Sequence, residues 1–429
     1  MEIYVVQKGD TVVSIAEKFG VSPGRLVLDN GLSYPHELLL GQALVITYPQ
    51  EVYIVQDGDS LYSISIKFNV SIMQLLRNNP FLSERQYIFP GETLIISYKT
   101  VRKISTMGFT YPFIAKSTLL KTLPELTCVS VINYTSTAKG GIIEYRDDQE
   151  LIALCKLYGT IPLMVSTTLS PTGVPNLEAA NSILTTPSYQ DQVIEESIAI
   201  MKKKGYGGMN FIFNYLREDN EANYLSFIQK VSKRVKEEGL LLYLSINYGE
   251  YYVDGEVEYD KINYSEFSKY VDEILFLRLK WSSYYGPPAP VANINNISKL
   301  IQYVTSQISS DKVNIGIPLI GYDWQLPYVP EQSNASSLSI DSTMNLAHEV
   351  KAEIQFDESS QTPNFEYTKF YLDQEYQHIL WFVDVRSIEQ VSKLIIEYQL
   401  RGKGIWNIMQ YNASVWSVIN STFDVIKLI

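Results

Sequence analysis

Histidine and cysteine are nearly absent from this chain of 429 residues, which has 3 His and 2 Cys. His36, His348 and His378 are too dispersed for metal-ligand spacing, so neither a metal centre nor a cofactor is expected. Cys128 and Cys155 are too few for a disulfide scaffold, and each lies in an apolar stretch, which predicts two buried free thiols. Clustered positive charge is missing as well. The net charge is −12 and the longest basic run is Lys202-Lys203-Lys204, so there is no surface suited to neutralising phosphates, which excludes nucleic acid as a natural partner. The run itself reads as a solvated helix end. No apolar run reaches the roughly 18 residues that a membrane span requires. Met1–Val6 enters a strand pattern directly, without the charged and apolar regions of a signal peptide. There is no serine nucleophile elbow and no phosphate-cradling glycine loop.

What is present is length, 46% hydrophobic residues and 32 Tyr. The length exceeds one small core and implies two or three domains. Tyrosine rings are flat and amphipathic, and suit sugar stacking as well as ordinary packing.

The first hundred residues repeat. Tyr4-Val5-Val6-Gln7-Lys8-Gly9-Asp10-Thr11 returns as Tyr53-Ile54-Val55-Gln56-Asp57-Gly58-Asp59-Ser60, and Gly9 to Gly58, Phe19 to Phe68 and Asn30 to Asn79 are all 49 residues apart. Each copy reads as a strand, a Gly-Asp turn, a helix capped by Thr11 or Ser60, a second helix and a closing strand. This βααβ pattern over 1–49 and 50–99 resembles LysM modules, which bind N-acetylglucosamine polymers such as peptidoglycan and chitin. The resemblance implies a sugar lying between the first turn (Asp10, Thr11; Asp59, Ser60) and the loop after the second helix (Asn30, Leu32; Asn79). All these residue types are also good turn and cap formers.

Beyond the short linker Thr100–Lys103 the pattern changes to apolar runs of strand length alternating with helical stretches. Eight runs are candidates: Ile104–Thr110, Cys128–Tyr134, Ile161–Thr167, Gly208–Tyr215, Leu240–Asn247, Ile274–Leu279, Val313–Leu319 and Gly404–Ile408. Eight strands with crossover helices over 100–429 predict an α/β fold, a TIM (β/α)8 barrel, with functional side chains at the C-terminal ends of the strands. The long gap between the seventh and eighth strands predicts a small α+β insertion at about 322–384 that walls one side of the cleft.

Gly205–Tyr215, Trp281–Ala292, Ile315–Trp324 and Trp381–Ser387, together with the paired LysM modules, resemble the LysM-bearing N-acetylglucosaminidases of glycoside hydrolase family 18 that degrade spore cortex peptidoglycan. That family carries DGxDxDxE on its fourth strand, where the final Glu is the general acid and the preceding Asp orients the substrate acetamide. Here those positions are Asn214 and Ile212. On the sixth strand the family's acetamide-binding Tyr is Leu279. An amide cannot give up a proton near neutral pH and an aliphatic chain offers no charge, so the resemblance implies a barrel without the family's chemistry. Glu218, Asp219 and Glu221 follow the fourth strand and would have to supply a relocated acid; their alternative is helix N-terminal placement. By the same resemblance Trp406 floors a central subsite, and Trp281, Tyr322, Asp323 and Trp324 surround it.

The sequence therefore points to a protein that binds peptidoglycan or a related N-acetylglucosamine polymer and has lost glycosidase activity. A spore coat or cortex location, or the cell wall, follows from the resemblance, with spore coat proteins as further partners and mother-cell synthesis accounting for the lack of an export signal. An active N-acetylglucosaminidase with a relocated acid, and a protein-interaction scaffold, remain as alternatives.

Overall fold

In the computed structural model, the described residues are all except 86, 171–172, 213–215, 254–255, 279–282, 285, 372–373 and 428–429. Each N-terminal repeat is an antiparallel strand pair enclosing two helices. Glu2–Val5 pairs with Ala43–Ile46 around Val12–Phe19 and Pro23–Asn30, and Glu51–Ile54 pairs with Thr93–Ser97 around Leu61–Phe68 and Ile72–Asn78. The repeated residues have repeated roles. Thr11 and Ser60 each close a capping box, accepting from the backbone N–H of Ser14 and Ser63 at 3.0 Å. Each helix pair packs on its own small apolar core, centred on Ile15 and Leu26 in one copy and on Ile64 and Leu75 in the other.

Eight parallel strands close into a barrel: β1 (Arg102–Thr110), β2 (Cys128–Val131), β3 (Ile161–Thr167), β4 (Gly208–Ile212), β5 (Leu241–Ile246), β6 (Glu273–Phe276), β7 (Val313–Pro318) and β8 (Gly402–Trp406). Each pairs with its neighbour in sequence and β8 closes on β1. All eight expected runs carry a strand, because a strand buried on both faces writes itself as a short apolar run. Cys128 and Cys155 are buried and free. Among the described residues no helix is long and apolar enough to cross a membrane.

Between β7 and β8 an antiparallel sheet is built from Ile320–Leu326, Ala335–Ser339, Gln355–Asp357, Thr362–Tyr371 and Gln374–Phe382, with the helix Ile340–Glu349 against one face. The basic run keeps its expected solvation at Lys202 and Lys203 but not at Lys204. It ends the helix Pro187–Lys204, but the Lys204 side chain is only 7% exposed and its ammonium is held by Glu144 and Asp148.

Both LysM modules are seated on the barrel. Leu39 enters the apolar core of the insertion, Leu40 accepts from Ile354 N–H at 2.9 Å, and a Cβ on Gly41 would lie 1.9 Å from the Ile354 carbonyl oxygen. Only glycine fits that approach, at φ +81°. In the second module Arg77 pairs with Asp424, and Asn420 reaches the Arg77 carbonyl.

Beside this second seat lies Glu125, fully buried, with Oε1 accepting from Asn420 at 3.1 Å and Oε2 without a partner. Burial pushes its carboxyl up to about 8 from 4.5, against the opposing charges of Arg77 and Lys427. Between those values the folded chain holds a proton that the unfolded chain has released, so this group's contribution is full below the unfolded value and is lost as pH rises towards the folded one. Urea unfolding of Glu125→Gln across pH 5 to 8 is expected to show a flatter pH profile than the parent, with a gain of about a few kcal/mol at the upper end. Parallel profiles would show that the carboxyl ionises normally.

Candidate functional site

In register with the buried Thr167 of β3 stands Ile212, in the barrel interior. This residue ends β4, is 3% exposed, and packs in one cluster with Met107, Phe109, Leu163, Val165, Leu277 and Trp406. Cys128 and Tyr243 belong to the same cluster, and burial pushes both well above their ordinary pKa values. Both therefore keep their protons at neutral pH. One turn of the pleat earlier on β4, Asn210 is fully buried, donating to Ser130 Oγ at 2.8 Å and accepting from Ser245 Oγ at 2.9 Å. Asn214, Leu279 and Trp281 lie outside the described residues.

Trp406 sits at the C-terminal end of β8, 7% exposed, with its ring 5.2 Å from that of Phe109. The rest of the expected aromatic set divides. Tyr322 and Trp324 share one face of the insertion sheet with Ile379 and Trp381, and both are buried, at 4% and 1% exposure. Trp324 donates its indole N–H to the Gly286 carbonyl at 3.0 Å. The space they line with Arg278 is only about 30 Å³, far below the roughly 300 Å³ at which ligand pockets begin. They pack where open stacking platforms were expected. Asp323 faces the other way: it accepts from Tyr367 Oη at 2.8 Å and meets His378 Nδ1 at 3.1 Å, on the side covered by the helix Ile340–Glu349. Strand alternation puts neighbouring residues on opposite faces, a signal already present in the order Tyr322-Asp323-Trp324.

A feature that the sequence did not reveal lies at the same end of the barrel. Glu250 is buried and paired with Arg278 at 2.6 Å, and it accepts from Asn296 at 2.9 Å. With Tyr248 and Pro318 these residues line a cavity of about 330 Å³. Glu250 belongs to a short hairpin, Glu250–Val253 with Glu256–Tyr259, which has no apolar run to announce it. Glu218 and Glu221 are elsewhere, accepting from the backbone N–H groups of Lys261 and Asn263, and Asp219 is exposed.

In the LysM modules the expected sugar residues are largely committed to the fold. Asn30 gives its amide protons to the Leu26 and Val45 carbonyls and accepts from Val45 N–H at 2.7 Å; Asn79 repeats this with Leu75 and Ile95. Asp10 and Asp59 accept from the backbone N–H groups of Gln7 and Gln56 and from the hydroxyls of Tyr4 and Tyr53, which lowers their pKa values. Thr11 and Ser60 are the helix caps already described. Leu32 is half-buried, and its loop, Asn30 to Tyr34, opens onto a cavity of about 390 Å³ shared with Asp341, Asn345 and His348 of the insertion. Tyr34 is 45% exposed and lies 4.5 Å from the His348 ring, whose pKa is lowered by burial. What remains free for a ligand is the loop and its groove rather than the Asn and Asp side chains.

Residues 178–410, more than half of the chain, match glycosyl hydrolases family 18. The chain belongs to that family. Residues 4–47 and 53–97 match the LysM domain. This family 18 chain is 26% identical over 433 aligned residues to a cortical fragment-lytic enzyme of Bacillus anthracis, covering 100% of this chain and 99% of that one. The corresponding Bacillus subtilis enzyme is 27% identical over the same coverage. Among solved structures, the spore cortex-lytic enzyme SleL of Bacillus megaterium superposes with a TM-score of 0.78 at 27% identity, covering 100% and 99% of the two chains. Among the described residues no group of His, Cys, Asp and Glu is arranged to hold a metal ion.

Proposed function

We propose that this protein binds peptidoglycan, or another N-acetylglucosamine polymer, through its LysM modules, and that its family 18 barrel no longer hydrolyses glycan. The observation that carries the second half is Ile212. By the motif register it stands at the position of the acetamide-orienting carboxylate, and it is 3% exposed with apolar side chains packed against it, where an unpaired charge is costly. Asn214 and Leu279 at the two other motif positions agree with this in sequence. Full-length similarity to enzymes named for cortical fragments and spore cortex supports a role in the spore cortex or coat, with spore coat proteins as neighbours of the bound chain.

Two weak modules on one chain can hold a polymer firmly through effective concentration, provided both reach it. The full chain is expected to sediment with insoluble peptidoglycan and to be released by soluble N-acetylglucosamine oligomers. Replacing Tyr34 by Ala, in the loop that opens to the first groove, is expected to weaken retention by roughly tenfold, the scale of losing one aromatic contact. A chain that stays in the supernatant at every polymer concentration would refute glycan binding.

A further inference from the structure

The cavity of about 390 Å³ beside the first module is lined from two sides. One side is the loop Asn30 to Tyr34. The other is the insertion helix Ile340–Glu349, which brings Asp341, Met344, Asn345 and His348. These four residues stand three and four positions apart and so share one face of the helix, while Thr343 and Ala347 on the opposite face are fully buried. The two sides are fixed against each other, by Leu39 in the insertion core and by the hydrogen bond from Ile354 to Leu40.

The polar groups on this face are open. Asp341 and Asn345 are exposed, and among the described residues neither side chain takes part in a hydrogen bond or an ion pair. Partial burial is all that acts on the Asp341 carboxyl, raising its pKa, and no cation offsets it. Arg386 is spent on Asp384, which also lines the cavity. Tyr34 adds a ring that rests on His348 at 4.5 Å and is 45% exposed. The second module lacks this arrangement. At the 49-residue offset Leu32, Ser33 and Tyr34 become Phe81, Leu82 and Ser83. That stretch winds into the short 3-10 turn Pro80–Glu84 with Leu82 and Ser83 buried, and Phe81 lines a separate cavity against the barrel helix Ala413–Thr422.

We propose that the insertion helix forms the second wall of the first module's glycan site, where Asp341 and Asn345 hold the hydroxyls of one neutral sugar unit whose apolar face lies on Tyr34. This rests on the glycan binding proposed above and adds the residues of the barrel domain that take part in it. A carboxylate accepts from sugar hydroxyls and a side-chain amide both donates and accepts, so the pair suits a ligand bearing several hydroxyls. The charge on Asp341 repels a carboxylate, which sets the site against an acidic sugar or a peptide C-terminus. The cavity lies at the small end of ligand pockets, in keeping with a ligand of one or two rings. The two modules are then unequal: the first reads its glycan together with the insertion, and the second acts without it.

Met344 provides a local probe, since it lines the cavity and is half-buried. Methyl NMR of the full chain labelled at its 8 methionines, with the Met344 signal assigned from Met344→Leu, reads this site apart from the second module. Chitotetraose is expected to shift the signal saturably. Asp341→Ala and Asn345→Ala, both at exposed helix positions, are each expected to raise the midpoint by about tenfold, the scale of one hydrogen bond to a ligand. N-acetylmuramic acid is expected to need a concentration about tenfold higher than N-acetylglucosamine. A midpoint unchanged in both variants, or N-acetylmuramic acid binding as well as N-acetylglucosamine, would overturn the proposal. A Met344 signal that does not move while the chain still sediments with peptidoglycan would overturn this site and leave glycan binding standing; failure of both would overturn both.

Discussion

Incubated with cortex peptidoglycan or chitooligosaccharides, the protein is expected to release no reducing ends above background. The rate should lie at least about 10⁴-fold below that of an active family 18 glucosaminidase, the scale of losing general acid catalysis together with stabilisation of the intermediate. Family chemistry needs a proton for the glycosidic oxygen and a carboxylate beside the acetamide. By the motif register proposed above those positions fall on Asn214 and Ile212, and apolar side chains pack against the second. The nearby acids that could substitute are engaged elsewhere. Glu218 and Glu221 accept from backbone N–H groups of the loop at 261–263, and Glu250 is paired with Arg278 and Asn296. Reducing-end release by pure protein, abolished in Glu250→Gln or Glu218→Gln, would sink this reading and identify the acid at work.

Introducing a carboxylate at position 212 is expected to be costly. Ile212→Asp should destabilise the chain by roughly 3–5 kcal/mol, since it places an ionisable group among Met107, Phe109, Leu163, Val165, Leu277 and Trp406 and removes a packed side chain as well. Ile212→Val, which keeps the shape, should cost only about 1 kcal/mol. Urea unfolding of both variants separates polarity from packing. A fully stable Ile212→Asp would mean that the cluster admits water or a cation, and the case for a closed site would fail. The same cost bears on rescue: adding Asn214→Glu and Leu279→Tyr gives weak hydrolysis at most, because a displacement of about 1 Å in the reacting groups can cost on the order of 10²-fold in rate.

Much of this molecule was legible along the chain. The constant 49-residue offset and its Gly-Asp turns gave the two LysM modules, because turns and caps are local and the same residue types rebuild them each time. The eight barrel strands were visible as apolar runs, since a strand covered on both faces needs little more than hydrophobic, β-branched side chains. The candidate site was less legible. Asn30 and Asn79 were read as sugar contacts, but their amide groups pin the closing strands, a pairing made across 15 and 16 residues respectively. Asp323 was grouped with Tyr322 and Trp324 although strand alternation separates it from them.

By itself the sequence determined the fold class and the repeat. Only the tertiary structure decided the surroundings of individual side chains: that Ile212 is buried, that Tyr322 and Trp324 are buried, and that Lys204 is drawn from the helix end onto Asp148. It also decided that the two modules turn Leu32 and Phe81 towards one cavity against the barrel. The reason is one of range. Strands, caps and turns are set by neighbours a few residues away, whereas burial and charge pairing are set by side chains brought together from distant parts of the chain, such as Arg77 with Asp424.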